Sequence, residues 1–241
     1  MKQYEQVIKV MEENGGFATL GYLNQKVNCG SWKTKTPFAT IRRIVQERKE
    51  IFKIKPGLWA LHDYKNRLPN NILPKSITDN KLKEEFDHSY YQGLLVEIGN
   101  IKRLDTFVPY QDKNKMYLNN TLSDIISVEK FYNFSFPEIV KYAITIDVVW
   151  FNERKMPSDF FEIEHSTDIK NSLSKFVELQ DLYSKFYIVA NIVRKQEFID
   201  KLNMTSFKDI RERVKFLDYD NLSSIHSKTF ELYNVNKGYE L

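Results

Sequence analysis

Three carboxylates lie close together in the middle of the chain, with a spacing suited to holding a cation. Asp147 closes the apolar run YAITID, and Glu162 and Glu164 flank Ile163 in DFFEIEHS. Side chains alternate across a β-strand, so Glu162 and Glu164 share one face while Ile163 takes the other. If a strand ending at Asp147 pairs with the next strand across FNERKMPS, Asp147 lies at the far end of the hairpin and can approach Glu162. Carboxylates gathered in this way repel one another unless a cation sits between them. Their oxygen donors favour a hard ion, Mg²⁺ with Mn²⁺ as a substitute, and such an ion can activate water and neutralise a phosphate. The competing reading is an acidic sheet edge without chemistry. It is disfavoured because solvent-exposed strand ends seldom need acids flanking so apolar a strand.

The elements that must position these acids follow from the apolar patterning. SYYQGLLVEIGNIKR reads as a helix, DTFVPY as an extended stretch, and TLSDIISVEKFY as a second helix, before the two acid-bearing strands. IKNSLSKFVELQDLYSKF is amphipathic, with Ile169, Leu173 and Phe176 on one face, and Ser166, Thr167 and Asp168 are placed to cap it. FYIVANIV has the continuous β-branched character of a strand covered on both sides. A helix at KQEFIDKL, a strand at RVKFLD and a C-terminal helix complete the series. The expected class is therefore α/β, a mixed sheet flanked by helices. His165 directly follows Glu164 and should turn to the opposite face of its strand as a packed or hydrogen-bonded side chain.

Composition narrows the field further. At 241 residues, 42% hydrophobic and 28% charged, the chain suits a soluble protein with one large or two smaller cores. A single cysteine, Cys29, excludes an intramolecular disulfide, and the four histidines lack zinc-ligand spacing. No apolar run reaches bilayer length, and MKQYEQVIKVMEENGG reads as a charged amphipathic helix rather than a signal peptide. No membrane association and a cytoplasmic location are expected. The net charge of +4 is uneven: residues 1–64 carry +5, and the remainder −1. An anionic partner would meet the N-terminal part first.

Residues 1–64 read as three helices followed by a hairpin. Gly15 and Gly16 stop the first helix, Thr36 and Pro37 start the third, and Pro56-Gly57 turn the hairpin IFKIKPGLWAL. This is the order of a winged helix-turn-helix, in which the third helix enters the major groove. It resembles the HARE-type helix-turn-helix domains. That resemblance makes double-stranded DNA the expected partner, with Lys33, Lys35, Arg42 and Arg43 as candidate contacts to phosphates or guanine edges. A solvated basic face on a protein-interaction module is the alternative. Residues 65–80, rich in proline and asparagine, read as a linker, and residues 81–241 as a second domain.

The arrangement of Asp147, then Glu162-Ile163-Glu164 on the next strand, then an amphipathic helix and an apolar strand, resembles the PD-(D/E)xK nuclease superfamily, the fold of many restriction endonucleases. Ile146 stands where the motif has proline, and Glu164 where it usually has lysine. The resemblance implies that Asp147 bridges metal and scissile phosphate and that Glu162 is the second ligand, assisted by the Ile163 carbonyl. It also implies that Glu97, on the opening helix, supplies an additional acid. Glu164 would ligate metal or accept a proton from the attacking water. The expectation is a Mg²⁺-dependent deoxyribonuclease of type II restriction character, acting as a homodimer because cutting both strands needs two sites. Its dependence on base modification is left open. A non-catalytic winged-helix regulator and a repair or junction nuclease are the alternatives.

Overall fold

The computed structural model describes residues 1–74 and 80–238. The chain divides into two compact units, Met1–Ile77 with Ser223–Leu241, and Thr78–Leu222.

In the first unit, α1 (Gln3–Glu13), α2 (Leu20–Lys26) and α3 (Pro37–Glu47) pack around Met11, Leu23, Ile41 and Val45. Pro37 opens α3 with Thr36 as its N-cap residue, since proline has no amide hydrogen to lose there and its φ already suits a helix. Strands β1 (Phe17–Thr19), β2 (Ile51–Lys55) and β3 (Leu58–Leu61) form an antiparallel sheet in the order β1-β3-β2. Gly57 turns β2 into β3 at φ +79°, a conformation that favours glycine. Strand β1 is a feature the sequence reading lacks, because three residues are too few to show alternation. Within the expected linker, Leu68 and Ile72 are buried and Ile72 N–H donates to the Pro69 carbonyl. Its residues 75–79 lie outside those described.

The second unit opens with α4 (Asn80–Ile101) and β4 (Asp105–Phe107), then a small hairpin of β5 (Met116–Tyr117) and β6 (Asn120–Thr121). Short helices α5 (Leu122–Ile125) and α6 (Pro137–Ala143) lead into β7 (Val148–Phe151) and β8 (Pro157–Glu164). Then come α7 (Ile169–Val177), β9 (Lys185–Ala190), α8 (Lys195–Leu202), β10 (Val214–Asp218) and α9 (Tyr219–Gly238). The sheet order is β10-β9-β8-β7-β4, with β8, β9 and β10 parallel and β7 and β4 antiparallel to their neighbours. This is a mixed sheet with flanking helices, as the patterning of the sequence implies. Phe160 and Phe176 both stack on Phe186, tying β8, β9 and α7 together. Each such buried ring contributes about 1.5–3 kcal/mol.

Two local expectations are corrected. The helix expected over TLSDIISVEKFY ends at Ile125, and a separate helix begins where Pro137 supplies its first turn. YAITID is not a strand: its start finishes α6, and pairing begins only at Val148. The fully buried VVWF makes the strand, so Asp147 precedes β7 instead of ending it.

From residue 223 onward, α9 belongs to the first unit. Gly21 allows it to approach α2 closely, since a Cβ there would lie 2.6 Å from the His226 ring and 2.8 Å from Phe230. Asn234 donates to the Asn24 carbonyl at 2.9 Å, and Arg42 pairs with Glu231 at 3.2 Å.

Candidate active site

The antiparallel β7–β8 hairpin sets Val148 opposite Phe161, so the residue before β7 meets the end of β8. There the Ile163 amide donates to Asp147 Oδ2 at 2.7 Å. Asp147 and Glu162 thus reach the same end of the hairpin although Asp147 lies outside the strand. Glu162 and Glu164 are both buried, at 3% and 4% exposure. With Ser172 and Lys175 they line a cleft of about 550 Å³ that also includes His88 and Asp147.

Helix α7 supplies what the strand lacks. Asp168 is its N-cap and accepts from Lys170 N–H at 2.9 Å. Ser172 and Lys175, three residues apart, lie side by side on the helix. Lys175 Nζ donates to both oxygens of Glu162, at 2.8 and 3.0 Å, and to the Thr145 carbonyl at 3.1 Å. Ser172 Oγ lies 2.8 Å from Glu162 Oε2 and also contacts Glu164 Oε1. A hydroxyl carries one hydrogen, so two carboxylates can share it only if one of them carries a proton of its own.

The electrostatics indicate which one. Burial, and then the neighbouring Asp147 charge, push the Glu162 carboxyl up to about 8, with Lys175 and Ser172 pulling the other way. Burial also works against the Asp147 charge, but His88, the Ile163 amide and Lys175 outweigh it and hold that carboxyl below its usual value. Of the two, Asp147 is the stronger acid and Glu162 the more readily protonated. Burial opposes the charge on Lys175, yet Glu162, Asp147 and Glu164 raise its pKa above the ordinary lysine value and keep it cationic.

Glu164 also accepts from Thr167 and lies 3.9 Å from Arg194. Arg194 donates to the His165 and Thr167 carbonyls as well, fixing the turn between β8 and α7. His165 Nδ1 is 2.8 Å from the Tyr219 hydroxyl, whose ring stacks on Tyr91 at 3.8 Å.

The other residues expected at the site are placed as follows. Glu97 accepts from the Tyr117 hydroxyl at 2.7 Å. It is nine positions along α4 from His88, roughly 13 Å at the helical rise. The structure brings His88, not Glu97, to Asp147, with Nε2 3.4 Å from Oδ1. Burial lowers the affinity of His88 for its proton, but Asp147 and Asp112 overcome this and raise its pKa. In the first unit Lys33 and Lys35 are exposed in the loop before α3. Arg43 is exposed with Glu47 4.0 Å away, whereas Arg42 is half-buried against Glu231.

Sequence reasoning missed Lys175 and His88. A signal for Lys175 existed: a lysine on the helix directly following the acid-bearing strand, beside the apolar positions Leu173 and Phe176. Nothing in the sequence separates it from Lys170. His88 lies three and seven residues before Tyr91 and Leu95, both buried, so helical spacing places it on the inward face of α4. The acids and the Ile163 carbonyl are all oxygen donors, a set that fits Mg²⁺ or Mn²⁺.

The type II restriction enzyme NmeDI of Neisseria meningitidis serogroup C is 28% identical over 142 residues, covering 57% of this chain and 39% of that enzyme. The chain thus matches about two fifths of the length of its curated relative. No solved structure matches. The family model described as the type II restriction enzyme NmeDI C-terminal domain matches residues 67–238, which contain the five-stranded sheet, the cleft and the acids that line it. By that match, over well more than half its length, the chain belongs to the NmeDI C-terminal domain family of type II restriction enzymes.

Proposed function

We propose that the chain is a divalent-metal-dependent DNA endonuclease of restriction type, with its catalytic centre at Asp147, Glu162 and Glu164. The observation that carries this is the meeting of Asp147 with Glu162 across the β7–β8 hairpin, in an open cleft with a lysine on Glu162. Family membership agrees with it. Asp147, Glu162 and the Ile163 carbonyl would hold Mg²⁺ or Mn²⁺. When bound, the ion would supply an activated water and neutralise charge on the scissile phosphate.

The chain's own residues do the rest. Ile163 N–H fixes the Asp147 rotamer, and Lys175 orients Glu162 while offering a cation to a phosphate oxygen. Glu164, held by Ser172 and Thr167, is placed to accept the proton of the attacking water. In-line attack forms the bond from the water oxygen to phosphorus and breaks the bond to the 3′ oxygen, which takes its proton from solvent water while the proton of the attacking water passes to Glu164. Lys175 would supply the cation that the motif usually carries at position 164.

Residues 1–64, read as a winged helix, would bind double-stranded DNA with Arg43, Lys33 and Lys35, and Arg42 after release from Glu231. Two copies would cut both strands. The test is plasmid linearisation in Mg²⁺ against EDTA, with Asp147→Asn as control. DNA binding without cleavage in any divalent metal would favour a regulator instead.

A further inference from the structure

Asp147 also belongs to a second group of donors. His88, Asp112 and Asp147 each offer one ligand atom, and these atoms all lie within 4.8 Å of one another. Among the described residues this is the group of three such donors that converges; Asp147, Glu162 and Glu164 do not. The three come from separate segments: His88 from α4, Asp112 from the turn after β4, and Asp147 from the position just before β7. Nothing local in the chain requires them to meet.

Their support is built like that of a metal centre, where a second layer of hydrogen bonds fixes the donors. The Gln92 amide nitrogen donates both to Asp112 Oδ2, at 2.8 Å, and to the Asp147 carbonyl, at 3.0 Å. Gln92 is fully buried, and among the described residues its Oε1 is a buried acceptor without a hydrogen-bond partner. An unmet buried acceptor is costly and calls for an explanation, and an ion held beside it is one. Asp112 is itself only 3% exposed, and Lys115 Nζ lies 2.6 Å from its Oδ1, which puts one mobile cation where another could sit.

We propose that His88, Asp112 and Asp147 form a divalent-cation site whose imidazole nitrogen makes it favour Mn²⁺ over Mg²⁺ and Ca²⁺. An imidazole donor strengthens binding of transition metals far more than that of the hard alkaline-earth ions. The proposal deepens the nuclease reading, because Asp147 is common to this site and to the one that faces Glu162. It also gives His88 a role that neither the motif nor the Glu97 expectation contains.

The experiment is Mn²⁺ binding to the full-length chain by electron paramagnetic resonance and calorimetry, with MgCl₂ and CaCl₂ as competitors. Spin-echo modulation of bound Mn²⁺ should show a directly coordinated imidazole nitrogen in the unaltered protein, a readout independent of any variant. His88→Ala should weaken Mn²⁺ binding and abolish that modulation. Gln92→Leu should weaken binding about 10- to 100-fold, the usual effect of removing a group that orients a ligand. Circular dichroism of each variant checks its fold. Bound Mn²⁺ without nitrogen modulation, or equal affinity in His88→Ala, would overturn the site while leaving the endonuclease proposal intact. His88-dependent binding in a protein that cuts no DNA would uphold the site and overturn the endonuclease.

Discussion

Replacing Glu162 by glutamine should make the metal-free protein more stable at pH 8 and change it little at pH 5. The folded-state pKa of Glu162 lies above its unfolded value, so between the two the folded chain binds more protons. Its stability must therefore fall as pH rises from about 4.5 to about 8. That gap corresponds to a ceiling of about 5 kcal/mol at about 1.4 kcal/mol per pH unit. Glutamine mimics the protonated carboxyl, and the pull of Lys175 is already contained in the raised pKa, so the net gain at pH 8 lies a little below that ceiling, at about 4 kcal/mol. The raised pKa of His88 also removes stability as pH rises above its ordinary range, but it does so in both proteins and cancels in the comparison. Asp147, with its lowered pKa, loses its contribution only in acid, below this window. Urea unfolding in EDTA at pH 5, 6, 7 and 8, followed by tryptophan fluorescence, measures the difference. Parallel pH profiles for the two proteins, or a glutamine variant less stable at pH 8, would refute the reasoning that Glu162 holds the proton.

Other outcomes follow from the same geometry. Asp147→Asn should abolish plasmid cleavage and leave DNA binding intact in a gel-shift assay. Lys175→Met should lower the cleavage rate at least about 100-fold if the ammonium stabilises developing charge, with little effect on DNA affinity. Glu164→Lys should lose both activity and stability in a thermal melt, because it would set a second cation near Arg194 and leave Thr167 without its carboxylate acceptor and Ser172 with Glu162 alone. Arg43→Ala should reduce the salt dependence of DNA binding by about one unit of log–log slope, measured by fluorescence anisotropy across a salt series.

The site was legible in the sequence where strand periodicity carried it. Alternation alone places Glu162 and Glu164 on one face, and the hairpin turn brings Asp147 to them. The strand FYIVANIV and the helix KQEFIDKL are found where their patterns lie. What the sequence hides is long-range: whether α4 presents His88 or Glu97 depends on its rotation over the sheet, and both are polar residues on a helix in which polar and apolar residues are about equally mixed. Lys175 is concealed for a similar reason, since helical spacing shows that it neighbours Ser172 but not what faces them. Arg42 reads as a solvated base only until Glu231, nearly two hundred residues later, is seen beside it. The expected strand YAITID failed because apolar residues at the end of a short helix mimic a strand when the run is brief.

The single hydrogen bond from Ile163 to Asp147 turns the hairpin into its own proofreader. Slide β8 by one residue against β7, and Phe161 and Ile163 take the face that Glu162 and Glu164 had occupied, while Asp147 loses its amide. A misregistered chain is then chemically silent, however compact it is. Substitutions in the Asn152–Met156 turn, at the opposite end of the hairpin, that keep its length leave the pairing and hence the acids undisturbed, whereas a change of length would shift the register. For a protein whose proposed substrate is DNA, such all-or-nothing assembly would withhold the proposed cutting centre from every half-folded copy, and it leaves the side chains of that turn as the place where the hairpin can vary without cost to the chemistry.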